Sequence, residues 1–172
     1  MTSPIGKIYI AATYKGICQI SLNISSEKVF FTSLLQRFQI KPEIIIPLEG
    51  SNSKVISTQI IQLIADLTRY FSGEKINFNK YKVYFHKATR FQYQVWQYVR
   101  NIPYGSTVTY KEIAEGINQP KASRAVGQAN RKNPVPIIIP CHRVIGVNNT
   151  LVGFSAGLKV KEWLLRLEQR IG

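Results

Sequence analysis

Apolar residues follow a β-rich pattern at the start of the chain. Lys7-Ile8-Tyr9-Ile10-Ala11-Ala12-Thr13 and Ile17-Cys18-Gln19-Ile20-Ser21-Leu22, parted by Tyr14-Lys15-Gly16, predict a hairpin with Cys18 on its second strand. The spacing then changes. Residues 26–38 fit a short helix, and Ile44-Ile45-Ile46, bracketed by Pro42 and Pro47, fit a further strand or a buried loop. From Asn52 the apolar positions Ile56, Ile60, Leu63, Ile64, Leu67 and Phe71 recur at helical spacing, and Ser72-Gly73 ends them.

Residues 73–90 mix Lys, Asn and aromatics without a clean period, which places a domain boundary near residue 85. A helix is expected from Phe91 to Arg100, stopped by Ile102-Pro103-Tyr104-Gly105. Thr109-Tyr110-Lys111-Glu112 fits a capping box opening a short helix to about Glu115, with Gly116 as its terminator. Pro120 suits the first position of the next helix, whose Ala122, Ala125, Val126 and Ala129 mark one face. A last helix is suggested by Val160, Trp163, Leu164 and Leu167.

Two helices joined by a short turn resemble a DNA-binding helix-turn-helix. The second is unusual for a groove reader because its side chains are small: Ala122, Ser123, Ala125, Gly127 and Ala129. Taken alone, that face is more plainly a helix-packing surface, and Arg124 a solvated arginine. Charge shifts the balance. With 23 Lys and Arg against 9 Asp and Glu, the formal net charge is +14, which favours a polyanionic partner. The excess leans to the C-terminal half, where residues 86–172 hold 13 basic and 4 acidic side chains.

The N-terminal stretch has no basic segment leading into an apolar run, and no run approaches the roughly 18 apolar residues of a membrane span. A cytoplasmic monomer with no membrane association is expected. Cys18 and Cys141 are then read as free thiols. Zinc would need both cysteines and both histidines, and adjacent Cys141-His142 is a poor spacing for one tetrahedral ion, so no metal is expected.

Residues 133–145 set Cys141 at the end of an apolar run, beside His142 and Arg143. Cationic or proton-accepting neighbours favour the thiolate and make such a thiol a nucleophile. A buried structural cysteine and a satisfied structural histidine are the plainer alternatives.

Pro140-Cys141-His142-Arg143-Val144, preceded by Arg124-Ala125-Val126-Gly127 and Asn133-Pro134, resembles the signature of the O6-alkylguanine-DNA alkyltransferases. Tyr110 in Thr107-Val108-Thr109-Tyr110, Ser155 in Phe154-Ser155-Ala156-Gly157, and Lys161-Glu162-Trp163-Leu164-Leu165 with Glu168 follow in that family's order. Ser3-Pro4-Ile5-Gly6-Lys7 resembles the start of its bacterial-type N-terminal domain, so the likeness covers nearly the whole chain.

The resemblance implies an α/β (or α+β) fold. Residues 1–85 would form a small ribonuclease H-like domain and residues 86–172 a mostly helical catalytic domain with the helix-turn-helix. It implies suicide repair of double-stranded DNA containing O6-alkylguanine, with O4-alkylthymine as a further substrate, and no cofactor because the thiol is itself the acceptor. The helix-turn-helix would enter the minor groove and the damaged base would flip into the protein.

Residue by residue, the resemblance makes Cys141 the nucleophile, His142 its base through a water, Glu168 the group orienting His142, and Asn133 a brace for the site. Tyr110 would bond guanine N3, the Ser155 N–H would bond O6, the carbonyls of Cys141 and Val144 would take the exocyclic amine, and Pro136 would line the pocket. Arg124 would fill the space left in the stack, while Tyr110, Lys111, Gln119, Ala122, Ala125, Gly127 and Arg131 would face DNA.

Two departures stand out. Ala156 occupies a position that is usually glycine in the family, so its methyl is expected to narrow the pocket against bulky adducts. Residues 146–153 also differ from the commoner Asp-Gly loop. The competing readings are an alkyltransferase-like lesion binder, which lacks the cysteine that Cys141 supplies here, a helix-turn-helix regulator without transfer activity, and a Cys-His hydrolase.

Overall fold

The computed structural model describes residues 1–23, 26–39 and 51–169. The expectation for Ile44-Ile45-Ile46 lies outside them. The N-terminal half opens with β1 (Thr2–Ser3), β2 (Gly6–Thr13) and β3 (Gly16–Leu22), an antiparallel sheet in the order β1-β2-β3. The hairpin expected between the two β-rich runs is β2-β3, paired from Ile8↔Leu22 to Thr13↔Gly16 with a register shift between Ala11 and Ala12.

Helix α1 (Glu27–Phe38) is capped by the Ser26 side chain, which accepts from Val29 N. Helix α2 (Ser51–Phe71) packs on β2 and β3. It buries Leu63, Leu67 and Tyr70 completely, as its apolar spacing requires. The connection that follows contains a 3₁₀ turn at Phe78–Lys80 and a parallel bridge between Ile17 and Val83.

The C-terminal half is helical: α3 (Arg90–Arg100), α4 (Tyr110–Gly116), α5 (Ser123–Arg131) and α6 (Leu158–Gln169). Helices α3, α4 and α5 pack on one another, and the Trp96 indole donates to the Ala129 carbonyl at 2.9 Å. Two short strands, β4 (Val108–Thr109) and β5 (Val144–Ile145), pair in parallel and tie the start of α4 to the segment after Cys141. The mixed α/β architecture is the one expected. The apolar core is one continuous cluster through both halves, from Ile8, Leu63 and Tyr70 to Val99, Ile113, Val126 and Leu164.

Three local expectations need correcting. Helix α3 starts at Arg90, one residue early, because Thr89 and Gln92 form a capping box (Gln92 N to Thr89 Oγ1, 3.2 Å; Thr89 N to Gln92 Oε1, 2.9 Å). Gly116 is the last residue of α4 but not the left-handed residue that stops it. It lies within the helix where a Cβ would run into the Tyr98 ring, and the chain leaves through Asn118 at φ 59°, with Gln119 N bonded to Ala114 O. Pro120 does not open α5 either. Ala122 N bonds Gln119 O, so Pro120 sits in a β-turn, where its fixed φ suits the second position, and the helix begins at Ser123.

The hairpin turn docks tightly. Ile17 N bonds Lys82 O and Tyr84 N bonds Ile17 O, both at 2.9 Å, and Gly16 has φ 139°. A Cβ at Gly16 would strike the Lys82 backbone carbonyl. Gly16→Ala is therefore expected to destabilise the fold by roughly 2–4 kcal/mol, from overpacking plus a strained φ, read as a lower urea midpoint with an unchanged slope.

Candidate active site

Cys141 is placed by its neighbours on both sides. The segment leaving α5 turns at Val135–Ile139, where Ile137 takes φ 75°, and Cys141 N bonds Ile139 O at 2.7 Å across Pro140 (φ −78°, ψ 64°). That is an inverse γ-turn. Asn133 braces it, accepting from Val135 N at 3.0 Å and donating to Ile139 O at 2.8 Å. The same side chain reaches the thiol. Residues Cys141–Arg143 then form a 3₁₀ turn packed against α6.

The thiol is 4% exposed. Burial pushes its pKa up to about 11, against the lowering effects of the Asn133 hydrogen bond and the Lys161 charge. Arg143, expected from the sequence to favour the thiolate, points elsewhere. Its Nε donates to Glu168 Oε2 at 2.8 Å, one Nη to Glu168 Oε1 at 2.9 Å and the other to Ile102 O at 2.6 Å.

Glu168 is the hub of the site. It is 1% exposed although it lies in the last turn of the last helix. The spacing of α6 puts it on the same inward face as Leu164 and Leu167. Beyond the two Arg143 contacts it accepts from His142 Nε2 at 2.9 Å, Gly105 N at 3.2 Å and Tyr70 Oη at 2.6 Å. Burial raises its pKa, but the hydrogen bonds from His142 and Arg143 and the Arg143 charge outweigh burial and hold it well below the usual carboxylate range. His142 is fully buried, and that lowers its pKa despite Glu168. It is thus a neutral imidazole whose Nε2 proton is committed to Glu168. Nδ1, with no protein partner among the described residues, is left as the acceptor.

Lys161 was quoted in the sequence motif, but its role was not legible there. Its ammonium is 0% exposed and donates to Val144 O at 2.5 Å and Val152 O at 2.8 Å. Burial lowers its pKa to about 8, with the Cys141 thiol opposing. Asn130, missed altogether, donates to Cys141 O at 3.4 Å. The Val144 carbonyl therefore holds the Lys161 ammonium and keeps a second lone pair, whereas the Cys141 carbonyl already accepts from both Asn130 Nδ2 and the Val144 N–H.

Tyr110 begins α4, its hydroxyl 3.4 Å from Val152 O and close enough to Cys141 to be affected by its charge. Gly127 on α5 and Gly153 lie against it: a Cβ at either would sit 3.8 Å from the Tyr110 side chain. Ser155 and Ala156 join Asn133, Pro136 and N-terminal residues including Gln19, Ser33 and Arg37 around a cleft of about 240 Å³. A larger cleft, about 390 Å³, lies against Arg143 and Tyr104, and Cys141 lines neither cleft directly.

On the outer face, Lys111, Gln119, Arg124, Ala125 and Arg131 are exposed, and Ala122 and Gly127 half-buried. Ala129, read as part of that small-residue face, is 3% exposed and turned to Trp96. Among the described residues no group of three or more His, Cys, Asp or Glu is gathered to hold a metal ion. No helix is long and apolar enough to cross a membrane.

Two family profiles match the chain: the ribonuclease-like domain of 6-O-methylguanine DNA methyltransferase over residues 1–85, and its DNA binding domain over residues 90–170. The chain belongs to the 6-O-methylguanine DNA methyltransferase family. It is similar to the methylated-DNA–protein-cysteine methyltransferase of Methanosarcina acetivorans, 39% identical over 167 residues and covering 96% of this chain and 94% of that one. The inducible enzyme of the same name from Bacillus subtilis is 37% identical over 162 residues, covering 94% and 84%. Among solved structures, OGT from Mycobacterium tuberculosis in complex with DNA superposes with a TM-score of 0.76 at 33% identity, covering 99% of this chain and 91% of that one.

Glu168→Gln is expected to destabilise the fold by about 3–5 kcal/mol, because it leaves Arg143 as an uncompensated buried cation. The pH dependence has a definite sign. With the folded pKa depressed, the Glu168 contribution is fully present above the unfolded value of about 4.3 and is lost as acid carries the pH down towards the folded value. Thermal melts of wild type should therefore fall more steeply below about pH 4.3 than melts of the Gln variant.

Proposed function

We propose that the protein reverses O6-methylguanine damage in DNA directly, with Cys141 as the one-time acceptor of the methyl group. The observation that carries this is the arrangement around one of the two buried thiols: Cys141 is followed in the chain by a neutral His142 whose Nε2 is held by Glu168. Family membership supplies the reaction class, a methylated-DNA–protein-cysteine methyltransferase.

A thiol raised to about 11 is a poor nucleophile at neutral pH until its proton is taken. His142 Nδ1 accepts that proton through a water, becoming an imidazolium facing Glu168. The sulfur attacks the methyl carbon in line. The S–C bond forms as the C–O6 bond breaks, and the electron pair leaves with guanine. Tyr110 donates to N3 and the Ser155 N–H to O6 as charge develops there, and the exocyclic amine goes to the second lone pair of the Val144 carbonyl and to the Cys141 carbonyl in place of the long 3.4 Å Asn130 contact. The leaving group is a guanine anion, which becomes neutral guanine when the proton taken from the thiol returns to it from His142 through water, and the other product is an S-methyl thioether, which nothing in the site is built to hydrolyse.

The buried thiol cannot meet a base inside a stacked duplex, so the base must leave the stack. Ala122, Ala125 and Gly127 let α5 approach a shallow groove, and exposed Arg124 fills the vacated place. Lys111, Gln119 and Arg131 flank the contact. The protein acts as a monomer on double-stranded DNA, and Ala156 at the cleft rim disfavours adducts larger than methyl.

Intact-mass measurement after incubation with a duplex holding one O6-methylguanine tests this. Wild type is expected to gain one methyl group, stoichiometrically, and Cys141→Ala none. Binding of the damaged duplex with no gain in mass would instead make the protein a lesion binder. Arg124→Ala is expected to slow transfer from duplex DNA by roughly tenfold or more, the loss of a stabilised flipped state worth one to a few kcal/mol. Its transfer from the free modified base should stay near wild type.

A further inference from the structure

One donor to Glu168 comes from outside the motif-bearing half. Tyr70 lies on α2, 70 residues into the chain and 98 before Glu168, and its side chain is wholly buried. Its ring is fixed edge-on by Phe71, Phe78 and Tyr104, at centroid separations of 5.4, 5.5 and 6.2 Å. So held, the hydroxyl donates at 2.6 Å to Glu168 Oε1, the same oxygen that receives His142 Nε2 and an Arg143 Nη.

We propose that Tyr70 is a positioning residue for methyl transfer: its hydroxyl fixes the Glu168 oxygen that orients His142, so the N-terminal domain completes the active site. Resting on the reaction assigned above, this gives α2 a chemical part as well as a packing one. The hydroxyl has two effects. It pins the rotation of the carboxylate, which fixes the direction in which His142 presents Nδ1. It also satisfies part of the negative charge on Oε1, so the carboxylate pulls less strongly on a second proton at the imidazole. Burial and the Glu168 charge push the Tyr70 phenol well above its ordinary range, so it serves as a donor at every working pH.

The charged and titratable groups that act on His142 are Glu168 and Lys161 from α6 and Arg143 beside it, with Tyr70 meeting it at the shared oxygen and Cys141 preceding it in the chain. Arg143 and Lys161 disfavour an imidazolium, and Glu168 alone favours one. Removing the Tyr70 hydroxyl leaves Oε1 less satisfied, which strengthens the one favouring group. His142 then protonates at higher pH, and a protonated His142 cannot take the thiol proton.

Tyr70→Phe keeps the ring and deletes the hydroxyl, and Tyr70→Leu deletes both. Single-turnover methyl transfer from an O6-methylguanine duplex would be followed across pH 6 to 9 for wild type and both variants, with thermal midpoints alongside. Tyr70→Phe is expected to transfer about tenfold more slowly at pH 7, with its acid limb moved to higher pH, while binding the duplex as wild type does. Tyr70→Leu should add a loss of stability. A Tyr70→Phe protein with the wild-type rate and pH profile overturns the proposal, and so does a slower one whose acid limb has not moved, since packing alone would explain it. The wild-type control keeps the two readings apart: no methyl on wild-type Cys141 overturns the reaction itself.

Discussion

A buried carboxylate with five donors is the constraint around which this protein is arranged. Glu168 has nowhere to send its charge except to Arg143, His142, Gly105 and Tyr70. An ionised group out of water is tolerable only when each lone pair is met, so the donors cannot be placed independently. They come from α2, the turn after α3 and the Cys141 segment, and they meet on α6. Satisfying one side chain thus fixes the relative positions of most of the molecule. The continuous apolar core, which shows no break near residue 85, follows the same logic.

The chemistry then proceeds by withholding reactivity. Burial sets Cys141 in the opposite direction from an activated thiolate, and the nearby ammonium of Lys161 is itself weakened by burial. A permanently ionised thiol would be open to any soft electrophile or oxidant. In the proposed reaction the proton leaves only along a path through His142, and only a base turned out of its helix brings a methyl carbon to the sulfur. Selectivity comes from access and from proton routing rather than from a standing nucleophile.

What the sequence disclosed depended on whether a feature was local. The β2-β3 hairpin, α1, α2 and the Thr109 capping box rest on neighbouring residues, and each was legible. The ends of the helix-turn-helix were not, because Gly116 is dictated by the Tyr98 ring and Pro120 by a turn whose bond spans Gln119 to Ala122. In the site, the family pattern named Cys141, His142 and Glu168, but adjacency wrongly assigned Arg143 to the thiol. Only the fold shows the guanidinium turned to Glu168. Lys161, Asn130 and Tyr70 act through backbone carbonyls or across 98 residues of chain, and no short-range pattern signals either.

The Lys161 ammonium grips the chain at two points, Val144 and Val152, the first on β5 and the second at the far side of the loop. Between them Gly146 N closes on Thr150 O, and residues 147–150 are turned to solvent. Their side chains are asked for nothing by the core, the thiol or the carboxylate. One cation thus holds both ends of this stretch through backbone carbonyls, whatever side chains lie between them. The loop is a natural place to accept an epitope, a label or extra residues while the chemistry beside it goes on unchanged.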